Sequence, residues 1–418
     1  FITKILQGRA LYKQGIITRD INKDRHPDIY RAEKGNYQAA YIDMFEPGYH
    51  KKNYCVDFAS YYPSICMALN LGPDTTRIVG FEDYQDKLEY IDQKLYIPDT
   101  KINKRVIIEI DNDRKSCLYD MCKSFTEMRK PYKEAGTTEG DSKSNALKIM
   151  VNTFYGANCN PWVNYGDMAT GVAITGIARW LLESSIGLTR KKYGEKSVIY
   201  SHTDSVYCNR DVDVDWLTKR LRLILEATIP HTESEWIRLD KDEYDEGVWL
   251  AIGNYALRNK DGSLTKHGSN FKSKNRSDFY KMTLNKLIDA RMDNKVNSAF
   301  IDDLYDFDKL EMDIFMQRRT LNRKLEDYKS TTDMMLTLAE QGSSVGIEPR
   351  PRTQYDYYKT KDGYRIKELV ESKTELDVRY YWDIVSALLS KFGLEREIKK
   401  NPPLTILDKS QKSLMEWI

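Results

Sequence analysis

The sequence predicts a mixed α/β chain of the α+β kind, with a helical hairpin inserted into it and a mainly helical C-terminal part. Three observations carry this. Short β-type runs bounded by turn residues lie far apart, at 54–59 and 197–208. Two helical patterns, 114–134 and 142–155, flank the polar turn Ala135-Gly136-Thr137-Thr138-Glu139-Gly140. From about 278 onward the apolar spacing is mostly helical.

Taken in order, residues 1–50 are mixed and basic, with punctuation at Lys34-Gly35 and Pro47-Gly48. The run Tyr54-Cys55-Val56-Asp57-Phe58-Ala59 reads as a buried strand that delivers an aspartate to its end. Residues 60–69 read as a helix whose Pro63 falls in the tolerant first turn. Residues 168–193 form a long apolar helix in which Ala169, Gly171, Ala173, Gly176 and Ala178 allow close packing. Strands at 197–202 and 205–208 flank a tight turn carrying Thr203-Asp204, and 244–274 reads as a β-hairpin region turning at Asp261-Gly262.

The chain has 418 residues, enough for two to four structural units. Its 41% hydrophobic and 31% charged residues exclude a disordered tail, a collagen-like fibre and a membrane bundle. No run of ~18 apolar residues offers a spanning helix. No basic-then-apolar leader opens the chain, so secretion is not expected and a cytoplasmic or nucleoid location is, or host cytoplasm for a viral protein. A start at Phe1 rather than Met fits a fragment or processed product. Six scattered cysteines form no CxxC pair, and Cys117 with Cys122 gives only half a zinc site; neutral thiols and no structural metal are expected. With 65 Lys+Arg against 63 Asp+Glu, the global charge says nothing about nucleic acid, whereas local basic clusters can.

Asp57 and Asp204 stand 147 residues apart, each at a strand end or turn. A lone aspartate there commonly forms a turn or caps a helix. The two converge only if their strands are neighbours, and two close carboxylates then call for a divalent cation between them. Hard oxygen ligands and a phosphate-bearing substrate favour Mg²⁺, and the chemistry that follows is two-metal in-line phosphoryl transfer.

The surroundings of each acid carry a resemblance. Asp57-Phe58-Ala59-Ser60-Tyr61-Tyr62-Pro63-Ser64 resembles motif A of the family B (alpha-like) DNA polymerases, DxxSLYPS. Lys148-Ile-Met-Val-Asn152-Thr153-Phe-Tyr155-Gly156 resembles their motif B, KxxxNSxYG, and Tyr200-Ser-His202-Thr203-Asp204-Ser205 their motif C, YGDTDS. Tyr37-Gln-Ala39-Ala40 is similar to the YxG(G/A) segment before the polymerase domain, and Asp377-Val-Arg-Tyr380-Tyr381 to the paired-tyrosine signature of the thumb. The likeness spans roughly 30–395. It implies a right-hand architecture: connector and first part of an antiparallel-sheet palm over 1–110, helical-hairpin fingers over 111–157, second part of the palm over 158–277, a mainly helical thumb over 278–400 and a tail over 401–418. The family's exonuclease domain would lie upstream, where this chain is too short to hold it; a truncated domain, a lost one and one carried on a separate partner chain are the alternatives the resemblance leaves open.

The resemblance also implies roles. Asp57 and Asp204, with the backbone carbonyl of Phe58, hold two Mg²⁺ ions (Mn²⁺ as the alternative), and Tyr200, His202, Thr203 and Ser205 surround them. Ser60, Tyr61, Tyr62, Arg129, Lys133, Lys148, Asn152 and Tyr155 bind the incoming deoxynucleotide. Tyr62 matches the steric gate that clashes with a 2′-hydroxyl. Arg129 and Lys133 share a helix face, as do Lys148 and Asn152. Gly156, Tyr255, Lys272, Lys274 and Arg276 are placed on primer–template DNA, in contacts blind to base sequence and sensitive to salt. The terminal Gln411, Leu414, Trp417 and Ile418 resemble a sliding-clamp-binding peptide, with Ile418 replacing its second aromatic.

Two departures stand out. His202 occupies the place of the first motif C aspartate, and Ile252-Gly253-Asn254-Tyr255 keeps the tyrosine of the KKRY segment but not its basic residues. The implied function is DNA-templated DNA synthesis. A catalytically impaired primer–template-binding and clamp-docking module is the alternative, and a two-metal nuclease leaves the Lys148-to-Gly156 motif unexplained. The short span from Asp57 to Lys148 leaves little room for a protein-priming insertion. No membrane partner is expected.

Overall fold

The computed structural model describes residues 29–30, 37–158, 166–273, 275–328 and 334–399, without the side chains of Phe154, Tyr155, Ala157 and Asn158. The expected clamp peptide, Gln411, Leu414, Trp417 and Ile418, lies outside the described residues, as does Lys274. The chain divides into two compact units, 1–46 with 52–243 and 47–51 with 244–418.

In the first unit, β1 (Ile42–Met44), β3 (Asn53–Phe58), β8 (Val198–His202) and β9 (Ser205–Cys208) form an antiparallel sheet in the order β1-β8-β9-β3, and β10 (Leu239–Ala251) follows β3. The β2 strand (Gly48–His50) belongs to the second unit. Thr203-Asp204 closes the β8–β9 hairpin as expected, with His202 paired to Ser205. Thr203 there takes a φ of 58°, and the Asp204 amide donates back to the His202 carbonyl at 2.6 Å. A β-branched residue in that region is strained, and such strain is characteristic of functional turns.

Helix α1 (Tyr61–Ala68) starts after Ser60, whose φ of 49° reverses the chain at the end of β3. Pro63 sits in the first turn, where no backbone donor is needed. A region with no assignment from the sequence, 76–110, is a second antiparallel sheet: β4 (Thr76–Asp83), β5 (Glu89–Ile91), β6 (Lys94–Asp99) and β7 (Lys104–Ile110), in the order β4-β7-β6-β5. Its tight turn, Asp92-Gln93, has φ values of 49° and 61° without a glycine, so the usual hairpin signal is absent from the letters.

The inserted hairpin is α2 (Cys117–Glu134) and α3 (Thr138–Asn158). The first begins three residues later than expected because Asn70 accepts the Ser116 amide and donates to the carbonyls of Asp111 and Arg114, while Ser116 caps the helix through the Tyr119 amide. Met67, Tyr119, Cys122 and Val151 form the apolar cluster at the base of the hairpin. Helix α4 (Met168–Tyr193) has the expected bounds, capped by Asp167 and stopped at Gly194. It packs against β4 and β6, where a Cβ on Gly176 would overlap the Ile97 side chain. Gly176→Ala is therefore expected to destabilise the chain by about 1–3 kcal/mol through overpacking. Gly187→Ala, where a Cβ meets nothing within 4 Å, should stabilise it by about 0.5–1 kcal/mol. Urea midpoints of the two variants moving in the same direction would refute this account. Helix α5 (Val214–Thr228) completes the unit, burying Leu217, Leu221 and Leu225.

The described cysteines, Cys55, Cys66, Cys117, Cys122 and Cys208, are buried single thiols. Burial pushes the Cys208 thiol up to about 12, which keeps it protonated.

In the second unit, β2, the later part of β10, β11 (Asn254–Asn259) and β12 (Leu264–His267) form an antiparallel sheet with the expected turn at Asp261-Gly262. Helices α6 (Ser269–Lys272), α7 (Asp278–Met292), α8 (Ser298–Leu304), α9 (Met334–Ser344) and α10 (Val378–Lys391) follow. The mostly helical reading after 278 overlooked an antiparallel sheet, β13 (Gln317–Thr320), β14 (Gln354–Thr360) and β15 (Gly363–Ile366), in sequence order. Its middle strand buries Tyr355, Tyr357, Tyr358 and Thr360, a pattern too irregular to read as alternation. Among the described residues, no helix is long and apolar enough to cross a membrane.

Candidate active site

The strand order makes neighbours of the two aspartates' strands. Asp57 pairs in register with Ser205, the residue after Asp204, and the Phe58 amide donates to the Asp204 carbonyl at 2.8 Å. The Ala59 amide donates to the Arg238 carbonyl at 2.9 Å, which fixes the end of β3 on its other side. Both aspartates thus sit at one end of the sheet, held by backbone bonds on each flank.

Their electrostatics agree with that placement. Burial, the charge of Asp204 and the more distant Asp240 and Asp242 push the Asp57 carboxyl up to about 7, against an opposing pull from Lys148. Asp204 is also raised by burial, offset by its own backbone amide, His202 and Lys148. One lysine of the inserted hairpin therefore acts on both carboxylates, although they lie 91 and 56 residues from it in sequence. A half-buried pair of acids that disfavours its own double ionisation is a cation-seeking arrangement. Among the described residues, no group of three or more His, Cys, Asp or Glu side chains is arranged to hold a metal. A carboxylate pair by itself would fill only part of a hard cation's coordination shell.

The family model described as DNA polymerase family B matches residues 2–388. The chain belongs to DNA polymerase family B. The DNA polymerase of Thermococcus gorgonarius is 23% identical over 417 residues, covering 90% of this chain and 50% of that protein. DNA polymerase 2 of Aeropyrum pernix is 25% identical over 399 residues, covering 89% and 47%. The solved family B DNA polymerase of Pyrobaculum calidifontis superposes with a TM-score of 0.62 at 18% identity, over 96% of this chain and 51% of that one, a likeness of fold. The chain spans about half the length of the curated relatives it matches.

Within the family B motif A segment the two tyrosines part ways. Tyr61 is 3% exposed, stacks on Phe58 at 4.1 Å and donates its hydroxyl to the Ala178 carbonyl at 2.5 Å. Its side chain serves the packing of α1 on α4. Tyr62 is half-buried, its ring stacked on Tyr61 at 5.8 Å. Ser60 supplies the left-handed backbone turn, and Ser64 Oγ donates to the Ala59 carbonyl at 2.9 Å.

On the hairpin, Lys133, Lys148 and Asn152 are exposed, and Arg129 Nε donates to Ser144 Oγ at 3.0 Å, tying α2 to α3. Tyr155 lies on the α3 backbone, with its side chain outside the described ones. Gly156 is exposed, and a Cβ there would meet nothing within 4 Å. In motif C, Tyr200 is buried, Thr203 and Asp204 are half-buried, and His202 is exposed beside the Asp204 carboxylate, whose proton affinity it lowers. Ser205 Oγ donates to the His202 carbonyl at 3.2 Å.

In the second unit, Tyr255 is 7% exposed, with its ring stacked against Trp249 at 4.5 Å and His267 at 4.7 Å. Each face of the ring is thus covered by another ring. Lys272 and Arg276 are exposed, and the Arg276 guanidinium lies 4.7 Å from the Tyr280 ring centroid.

Sequence reasoning missed Asp240 and Asp242. They lie two apart on β10, a spacing that puts them on one strand face, and that alternation was the available signal. It also missed Glu233, which accepts from Tyr119 at 2.8 Å and Trp236 at 3.0 Å and pairs with Lys115, tethering the start of α2 to the loop after α5.

Proposed function

We propose that this chain catalyses DNA-templated addition of deoxynucleotides to a primer 3′-hydroxyl. The observation that carries the reading is the meeting of Asp57 and Asp204 at one sheet end within the field of Lys148. Asp57, Asp204 and the Phe58 carbonyl would hold the divalent ions, which when bound acidify the attacking hydroxyl and stabilise the leaving oxygen. Lys148, with Lys133 and Arg129, supplies positive charge for the triphosphate, the lysines as point charges and the arginine as a planar fork. Asn152, one turn from Lys148, adds a polar contact on the same face. Lys272 and Arg276 suit the duplex backbone. Primer–template DNA, deoxynucleoside triphosphates and a sliding clamp engaged by the terminal peptide are the partners of this reading.

Tyr62 is the group that excludes ribonucleotides. Truncation to alanine opens the space a 2′-hydroxyl needs, so Tyr62→Ala is expected to raise ribonucleotide incorporation relative to deoxynucleotide by about 100-fold, ~2.7 kcal/mol of lost discrimination. Competition between the two triphosphates on one primer checks it, and an unchanged ratio removes Tyr62 from the gate.

His202 favours a second reading, a primer–template-binding module with impaired chemistry, because an imidazole stands where the motif carries a carboxylate. Primer extension with Mg²⁺ separates the two: the second reading gives primer–template binding with no extension above an Asp57→Ala control.

A further inference from the structure

We propose that the groove between α4 and α5 is a docking surface for an acidic amphipathic helix of a partner protein. Helix α5 carries two stripes. Leu217, Leu221 and Leu225 point into the core, whereas Trp216, Arg220, Leu223 and Ala227, spaced four, three and four apart, line the outer side. Leu188 of α4 forms the facing wall of a groove of about 480 Å³. Leu223 is 47% exposed on a helix that already buries a complete leucine stripe, and it adds apolar surface to the groove floor. The spacing is that of a helix surface which receives side chains at i, i+3 or i+4, and i+7 of a partner helix.

Charge selects the occupant. Lys191, Lys192 and Arg220 surround the apolar floor. The Lys192 ammonium lies 3.9 Å from the Trp216 ring centroid and 3.7 Å from Asp213. Lys191 and Arg220 have no ion pair among the described residues, so the rim keeps a net positive charge. A second copy docked about a two-fold axis would bring these rims against each other, a like-charge contact that costs binding. The chain's own terminal stretch, 401–418, balances Asp408 and Glu416 with Lys409 and Lys412 and offers no complement. An aliphatic helix face bordered by Asp or Glu satisfies both the floor and the rim.

The test uses the full chain and two fluorescein-labelled synthetic helices of about sixteen residues, long enough to be marginally helical alone. Both carry leucines at i, i+3, i+4 and i+7; one is flanked by glutamates and the other by lysines. Anisotropy titration should show saturable binding of the glutamate peptide and at least ~10-fold weaker binding of the lysine peptide. Leu223→Asp should weaken the glutamate peptide ~10-fold or more. Lys191→Glu with Arg220→Glu should reverse the preference. All three changes are on exposed positions, so circular dichroism and primer extension should be those of the parent chain. Equal binding of the two peptides, no saturable binding, or indifference to Leu223→Asp would overturn the proposal. Self-association of the parent chain that Leu223→Asp abolishes in sedimentation would assign the groove to a second copy and overturn it equally.

Discussion

Asp57→Asn and Asp204→Asn should each lower the single-turnover rate of primer extension by about a thousandfold or more, ~4 kcal/mol of transition-state stabilisation. Primer–template affinity should stay near that of the parent chain. Both side chains keep their volume in these variants, so a rate loss reports the missing charge and not a cavity. Stability should move the other way. Asp57 is raised above the unfolded carboxylate value by burial and by Asp204, and Asp204 is raised by burial. A carboxyl with its folded pKa above its unfolded pKa costs the fold stability once pH exceeds the unfolded value, and the full cost is reached above the folded pKa. Metal-free protein should therefore lose stability between about pH 4 and pH 7 through this pair, and Asp57→Asn should flatten that slope and raise Tm at pH 7. Extension assays and thermal unfolding in chelator read the two effects separately. A variant that loses activity together with Tm would have lost its fold, and one that keeps activity would remove the carboxylate pair from the chemistry.

The same contrast between local letters and through-space forces explains what the sequence disclosed. Helix α4 is legible to the residue because its punctuation is local: Asp167 caps one end and Gly194 stops the other. The β8–β9 hairpin is legible because only two residues separate its strands. The 76–110 sheet is not, since Asp92-Gln93 reaches positive φ without a glycine to announce the turn. The sheet of β13, β14 and β15 is held partly by two bonds from Arg318 to Asp356, at 2.6 and 2.7 Å, between residues 38 apart. A window of a dozen residues carries no trace of such a pair.

At the site, the spacing of three motifs located Asp57, Asp204 and Lys148, because each lies within a run whose neighbours are also constrained. Adjacent Tyr61 and Tyr62 share their chemistry, and only the fold directs one into α4 and leaves the other half-exposed. The alternation of Asp240 and Asp242 puts them on one strand face, but their field reaches Asp57 across neighbouring strands, and only the strand order sets that. Ser201, where the motif has glycine, is fully buried with a hydroxyl lacking a partner among the described residues. Nothing in the structure explains that hydroxyl.

Lys148 carries the second large effect, and it tests how the hairpin and the carboxylates act together. Its ammonium is exposed on α3, yet it lowers the proton affinity of both Asp57 and Asp204. A cation so placed can attract triphosphate oxygens or merely balance the acids, and the two roles predict different kinetics. If Lys148 binds the triphosphate, Lys148→Ala should cut kcat/KM for deoxynucleotide by about 100-fold, ~2.7 kcal/mol, with most of the loss in KM for the nucleotide and little in primer–template affinity. Lys148→Arg should recover part of it, since the charge returns with a different donor geometry. If Lys148 only balances the acids, its removal should leave nucleotide KM unchanged and shift the Mg²⁺ concentration needed for half-maximal rate downward, because an opposing cation has gone. Measuring nucleotide KM at several Mg²⁺ concentrations decides between them. An unchanged nucleotide KM together with weaker primer–template binding would place the lysine on DNA, and the hairpin's basic face would then have to be read as a duplex contact.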